Sequence, residues 1–219
     1  MGKLIVIEGL DGSGKATQSR LLCQRLQEQG RTCKKVAFPD YDHESVAFVK
    51  LYLSGALGTA EEVGAYAAST FFAVDRYVSF KLRWGQDYQG DTILVADRYS
   101  TSNATHQTTK LPREQWDEYL DWMEDYEYGK LGLPRPDMVI FLSVPPHISQ
   151  KLIEGRYHGD NEKKDIHEAD LGYLERCYAG AGYVADRQGW HMLDCAPNGQ
   201  MLSVEEISEK IWQMVRGII

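Results

Sequence analysis

Three glycines and a lysine near the amino end, in Gly9-Leu10-Asp11-Gly12-Ser13-Gly14-Lys15, have the types and spacing of an anion cradle. Glycine lets the backbone turn tightly, so that successive N–H groups aim at one anion; a helix starting directly afterwards adds its positive end, and Lys15 adds a full charge. The spacing follows the phosphate-binding pattern G-x-x-x-x-G-K, which continues with a Ser or Thr whose hydroxyl binds Mg²⁺. Here that position is Ala16, with the nearest hydroxyl at Thr17. Gly9, Gly12, Ser13, Gly14, Lys15, Ala16 and Thr17 are therefore the residues expected around a phosphate chain.

Two further stretches carry charge where chemistry would use it. The apolar run Thr92–Ala96 ends abruptly in Asp97-Arg98-Tyr99, and charges at the carboxyl end of a buried parallel strand face the ligand crevice. Ser100-Thr101-Ser102-Asn103 follows, suited to a helix start or to polar ligand contacts. Later, Lys151, Arg156, Lys163 and Lys164 lie among acids between Gln150 and Glu168, and about 151–168 reads as a lid that closes cations over phosphate and excludes water. A glycine cradle, a strand-end Asp-Arg pair and a basic lid together suit phosphoryl transfer, which depends on positioning and charge neutralisation. The guanine-reading N-K-x-D signature is absent, so a small-molecule kinase is favoured over a GTPase.

The elements needed to position these groups follow in order. Ile5-Val6-Ile7 reads as a buried strand, Thr17–Gln29 as a helix closed by Gly30, and Lys35–Phe38 as a second strand, which makes a βαβ unit. Glu44–Trp84 is helical in pattern, broken at Gly55–Gly58, and its long second part, 61–83, carries Phe71, Phe72, Arg76, Tyr77 and Phe80. Gln115–Tyr128 reads as an amphipathic helix that could also serve a dimer contact, Asp137–Leu142 as a strand, Leu171–Ala185 as a helix and Trp190–Asp194 as a last short strand. Ser203 and Glu206 form a capping box for a terminal helix. The pattern predicts an α/β fold of three layers, a parallel sheet of about five strands flanked by helices, in one domain spanning 1–219.

Composition narrows the partners. The 219 residues are 43% hydrophobic, enough for one sizeable core, and the net charge of −8 argues against a chain that coats polymeric nucleic acid or an anionic membrane. Four scattered cysteines, with no C-x-x-C, point to a reducing, cytoplasmic setting, and no targeting segment or membrane span is expected. The six histidines form no H-E-x-x-H or Cys/His cluster, so no structural metal is expected.

Taken together and in order, the loop with Thr17-Gln18, Phe38-Pro39, Phe72-x-x-x-Arg76, Asp97-Arg98-Tyr99-x-x-Ser102 with Gln107, and Pro136-Asp137 before a strand resemble the thymidylate kinase family of P-loop nucleoside monophosphate kinases, over nearly the whole length. The resemblance implies a P-loop fold, ATP as donor with Mg²⁺, dTMP as acceptor, dTDP and ADP as products, and a homodimer. It assigns Lys15 and the backbone of 12–17 to the donor phosphates, Asp11 to the acceptor 3′-hydroxyl and Phe72 to stacking on the base. Arg76 would bind the base, Arg98 the acceptor phosphate, and Asp97 the Mg²⁺ through water; Ser102 and Gln107 would lie near the base. Lys15, Asp97, Arg98 and Arg156 are the implied catalytic set, with Lys151, Lys163 or Lys164 as substitutes for Arg156.

The chain departs from the family pattern at Ala16, at Asp40-Tyr41 where an arginine is common, at Ser143 where an Asp is usual, and in the lid, at Leu152 and Asp165-Ile166-His167-Glu168. These departures keep two alternatives open: a kinase of another nucleoside monophosphate, and a nucleotide-binding regulatory module with little turnover.

Overall fold

The computed structural model describes residues 1–157 and 170–219. Five strands, β1 (Lys3–Glu8), β2 (Cys33–Ala37), β3 (Ile93–Asp97), β4 (Met138–Ser143) and β5 (His191–Asp194), form one parallel sheet in the order β2-β3-β1-β4-β5. Parallel neighbours need crossovers, and helices supply them. After β1 comes α1 (Lys15–Glu28), and between β2 and β3 lie α2 (Ala47–Leu53), α3 (Ala60–Val63), α4 (Ala65–Ser79) and α5 (Gly85–Gln89). Before β4 come α6 (Ser100–Thr108) and α7 (Trp116–Glu124); α8 (Pro146–Tyr157) and α9 (Leu171–Gln188) precede β5, and α10 (Val204–Val215) follows it.

The alternation of side chains along β1 builds a core on each face of the sheet. Ile5 and Ile7 pack with Leu22 and Leu26 of α1 and with Ile207, Ile211 and Trp212 of α10. Leu4 and Val6 pack instead with Phe38, Trp84 and Tyr99. The three-layer α/β expectation holds, and so does the capping box: Ser203 accepts from the Glu206 N–H while the Glu206 carboxylate accepts from the Ser203 N–H.

Strand order brings the chemistry together. From β1 the chain leaves for the edge strand β2 and returns to β3, which pairs with β1 so that Ile7 faces Asp97. The glycine loop after Glu8 and the Asp97-Arg98 step therefore leave the same end of adjacent strands, where ligands of such sheets bind.

Two helices differ from the pattern read in sequence. The continuous helix at 61–83 is divided: Gly64, at φ 73°, separates α3 from α4, and Phe80–Trp84 forms a π-helical turn before α5. That turn depends on Gly85, because a Cβ there would lie 2.5 Å from the Phe80 carbonyl oxygen. The helix at 115–128 ends at Glu124 and continues as a second π-helical turn, Asp125–Lys130. Its apolar face packs inward, with Tyr119, Leu120 and Met123 buried against Ala65, Ala104 and Val184, while Trp116 and Trp122 stay partly exposed. The expected lid lies mostly outside the described residues.

Gly9 shows why the loop needs glycine. Its φ is +147°, and an added Cβ would lie 2.8 Å from the Leu142 carbonyl oxygen and 2.6 Å from Ser13 Oγ. Gly9→Ala is expected to cost about 1–3 kcal/mol through backbone strain and overpacking, read as a lower midpoint in urea at unchanged slope.

Candidate active site

A cavity of about 510 Å³ opens at the carboxyl ends of β1 and β3. Asp11, Gly12, Gly14, Lys15, Ala16 and Thr17 line it from the loop and the start of α1; Asp97, Arg98, Ser102, Asn103 and Gln107 line it from β3 and α6; Phe72 and Arg76 line it from α4. Among the described residues expected at the site, Gly9 and Ser13 stand behind this wall, as supports of the loop. Arg156 belongs to the backbone of α8, but its side chain, with those of Lys151, Lys163 and Lys164, lies outside the described residues.

The phosphate-binding part is electrostatically dense. Lys15 is buried, and its Nζ donates to the Leu10 carbonyl at 2.7 Å. Burial, with Arg98 adding repulsion, lowers its pKa to about 8. Arg98 takes a left-handed backbone at φ 65°, uncommon for a side chain of its size. Its guanidinium bonds the Asp11 carboxylate, donates to Ser102 Oγ at 3.2 Å and lies 3.7 Å from Glu8 Oε1. Burial works against that charge, but Asp11, Glu8 and Asp97 outweigh it and hold the guanidinium pKa above its ordinary value.

Glu8, fully buried, ties the cluster to the glycine loop and to α6. It accepts from the Gly9 N–H at 2.9 Å, from Thr101 Oγ1 at 2.6 Å and from Ser102 Oγ at 2.8 Å. Asp97 lies on the cavity wall, 3.6 Å from Lys35 Nζ on β2. Asp11 and Asp97 thus offer two carboxylates beside the phosphate loop, each already facing a cation. As hard oxygen donors they suit Mg²⁺ held largely by phosphate oxygens and water.

A different pair organises the part next to α4. Arg76 is 1% exposed and meets buried Glu127 in a fork, Nε to Oε2 at 2.7 Å and Nη2 to Oε1 at 2.5 Å. Its remaining Nη1 donates weakly to the Tyr99 carbonyl at 3.4 Å. Asn103 Nδ2 donates to Glu127 Oε1 at 2.9 Å and to the Ser69 carbonyl at 3.2 Å. Both those groups only accept, which fixes the amide with nitrogen toward them and Oδ1 on the other side. Phe72 meets Tyr52 edge-on at 5.9 Å, and buried Gln107 Oε1 has no hydrogen-bond partner.

The departures from the family pattern have visible uses. Asp40 accepts from Arg83 Nη1 at 2.6 Å and from Ser79 Oγ at 2.9 Å, tying the end of β2 to the end of α4 and the turn after it. Ser143 Oγ lies 3.1 Å from the Tyr178 hydroxyl. Sequence reasoning named Asn103 only within a stretch suited to a helix start or polar ligand contacts, and missed Glu8, Lys35, Glu127 and the cavity-lining His106 as site or supporting residues. Glu8 did leave a signal, an acid at the end of an apolar strand directly before the glycine loop. Glu127 left none, being one acid among many.

Comparison with known proteins agrees with this geometry. The thymidylate kinase family model matches residues 7–211. The chain is 31% identical over 189 residues to a thymidylate kinase of Mycobacterium tuberculosis, covering 85% of this chain and 87% of the other. It is 33% identical over 176 residues to that of Schizosaccharomyces pombe, covering 80% and 76%. The solved thymidylate kinase of Candida albicans superposes with a TM-score of 0.72 at 20% identity, covering 99% of this chain and 92% of that one, a likeness of fold. With a family match along most of its length and relatives above 30% identity, this chain belongs to the thymidylate kinase family.

Proposed function

We propose that this protein transfers the terminal phosphoryl group of ATP to dTMP, giving ADP and dTDP. The observation that carries this reading is that one cavity holds both a phosphate-binding set, Lys15 and Arg98, and a base-reading set, Phe72, Arg76 and Asn103. Arg76 Nη1 is the donor and Asn103 Oδ1 the acceptor that remain for a ligand. Thymine presents the matching edge, a carbonyl oxygen at C4 beside an N–H at N3. Cytosine and adenine present an amino group beside a ring acceptor, so each would set donor against donor and acceptor against acceptor, a mismatch that leaves buried polar groups unpaired. Guanine shares the keto pattern but needs more room.

In the proposed mechanism the loop N–H groups and Lys15 bind the donor phosphates, and Arg98 grips the acceptor phosphate through its fork. Mg²⁺, held through Asp97 and water, would neutralise charge on the donor phosphates. Asp11, now paired with Arg98, is placed to accept a hydrogen bond from the acceptor sugar when phosphate takes over the guanidinium. Arg156, with the neighbouring lid lysines behind it, is the proposed source of positive charge on the transferred group. Among the described residues no helix is long and apolar enough to cross a membrane, and a cytoplasmic setting is part of this reading. Exposed Phe48 and Leu51 on α2 support pairing of two copies.

In a coupled assay of ADP release with ATP and Mg²⁺, dTMP should give the highest kcat/KM among dTMP, dCMP, AMP and GMP. Nucleotide binding without turnover of any acceptor would favour the regulatory module instead. Lys15→Ala should lower kcat by about three orders of magnitude while the protein stays folded; near-normal turnover would remove Lys15 from the site.

The lysine also gives a pH signature. A pKa lowered to about 8 means that Lys15 burdens the folded state below that pH, and the burden fades as pH rises toward the ordinary value of 10.5. Phosphate binding favours the charged form, so ATP should bring in about half a proton at pH 8 and almost none by about pH 6.5. Calorimetry in buffers of differing ionisation enthalpy measures this uptake, and Lys15→Ala should abolish it.

A further inference from the structure

We propose that Glu127 is the positioning residue that sets which hydrogen-bonding edge of a base the acceptor pocket reads. The inference rests on the base-reading role given above to Arg76 and Asn103, and assigns to a third, non-contacting residue the polarity of both.

Glu127 lies on the π-helical turn after α7, is 1% exposed and does not line the cavity. Its carboxylate nevertheless governs both groups that do. Oε2 takes Arg76 Nε, while Oε1 takes Arg76 Nη2 and Asn103 Nδ2. Of the five N–H donors of the guanidinium, Nε and one on Nη2 are thereby committed to the carboxylate, and Nη1, which donates only weakly to the Tyr99 carbonyl, keeps donor capacity for a ligand. The Asn103 amide, free to present either pole in solution, has both its N–H bonds drawn to acceptors, Glu127 and the Ser69 carbonyl. A carboxylate accepts only, so it cannot tolerate a flipped Asn103, and its two oxygens hold Arg76 by the paired bonds from Nε and Nη2.

The surroundings keep Glu127 in place. The Tyr119 hydroxyl, from α7, donates to the Asn103 carbonyl at 3.4 Å and lies 2.6 Å from Ser69 Oγ. The Tyr128 hydroxyl, one residue beyond Glu127, lies 2.5 Å from Ser100 Oγ at the start of α6. The turn is therefore bonded to α4 and α6 on either side, and the donor–acceptor order it imposes is built into the free protein. A pocket organised in this way discriminates without rearranging, because the wrong edge meets fixed groups of the wrong sign.

Replacing the carboxylate by an amide removes the constraint. In Glu127→Gln one pole becomes a donor, which conflicts with Asn103 Nδ2 or with Arg76 and allows Asn103 to turn its nitrogen toward the cavity. The experiment compares kcat and KM of the full chain for dTMP, for dCMP and for dTMP methylated at N3, with KM for ATP as internal control. Wild type should reject N3-methyl dTMP and dCMP. In Glu127→Gln the KM for dTMP should rise and both penalties should shrink by about 10- to 100-fold, with KM for ATP unchanged.

Penalties that keep their wild-type size, or a uniform loss for all acceptors and for ATP, would overturn the proposal and leave the base-reading role intact. Wild-type acceptance of N3-methyl dTMP as readily as dTMP, with Asn103→Ala changing nothing, would instead remove the base-reading role itself and the proposal with it. Should Glu127→Gln not fold, Glu127→Asp serves: its carboxylate, one methylene shorter, cannot reach both partners. The same shrinkage of the N3-methyl penalty is then expected, and an unchanged penalty overturns the proposal.

Discussion

A guanidinium held largely away from water at the end of β3 must have negative charge around it, and much of the site follows from how that requirement is met. Three carboxylates answer it, Glu8 from β1, Asp11 from the loop and Asp97 from β3. Meeting it with Glu8 brings in Thr101, Ser102 and the Gly9 N–H, so one charge balance locks the loop to the first turn of α6. Lys15 sits in the same field, and Arg98 adds to the depression of its pKa that burial begins. The free protein thus keeps its cations in readiness by pairing them with its own acids, and a polyanionic ligand relieves the arrangement.

The two arginines of the cavity differ in a way that fits different tasks. The Arg98 side chain is 17% exposed and its partner Asp11 is 21% exposed, so a phosphate can compete for it. The side chains of Arg76 and Glu127 are 2% and 1% exposed, and breaking that pair would strand a buried charge, at a cost of about 3–5 kcal/mol. An exchangeable arginine suits a group that arrives and departs with each turnover. A fixed one suits a template, whose value lies in staying the same.

How much of this was legible in the chain depends on how far each interaction reaches. Gly9, Gly12, Gly14 and Lys15 were readable because the loop is local and its glycines are required by backbone geometry. Asp97 and Arg98 were readable because charge ends an apolar run, and strand order then placed them as the pattern implied. Glu127 was not, because its meaning comes from Arg76, 51 residues earlier, and from Asn103, 24 residues earlier. The π-helical turns were also invisible, since 80–84 and 125–130 keep a helical composition and differ only in where the carbonyls find their partners. The apolar face of α7 was legible as amphipathic, but nothing in its spacing says which of its residues pack into the protein's own core, as Tyr119, Leu120 and Met123 do.

The position of β1 has a consequence for how the protein comes into being. In chain order β1 comes before its neighbours in the sheet, and they come late: β3 begins at Ile93, and the Leu4 N–H bonds the carboxylate of Asp137, 133 residues further on. A ribosome must therefore extrude β4, more than 130 residues after β1, before Leu4, Ile5, Val6 and Ile7 are covered on both edges, and contacts of such long range close slowly. Until then an apolar central strand is an open edge, exposed to pairing with other chains. The nucleotide cradle that follows it therefore cannot take its final shape until β3 and β4 have closed on β1.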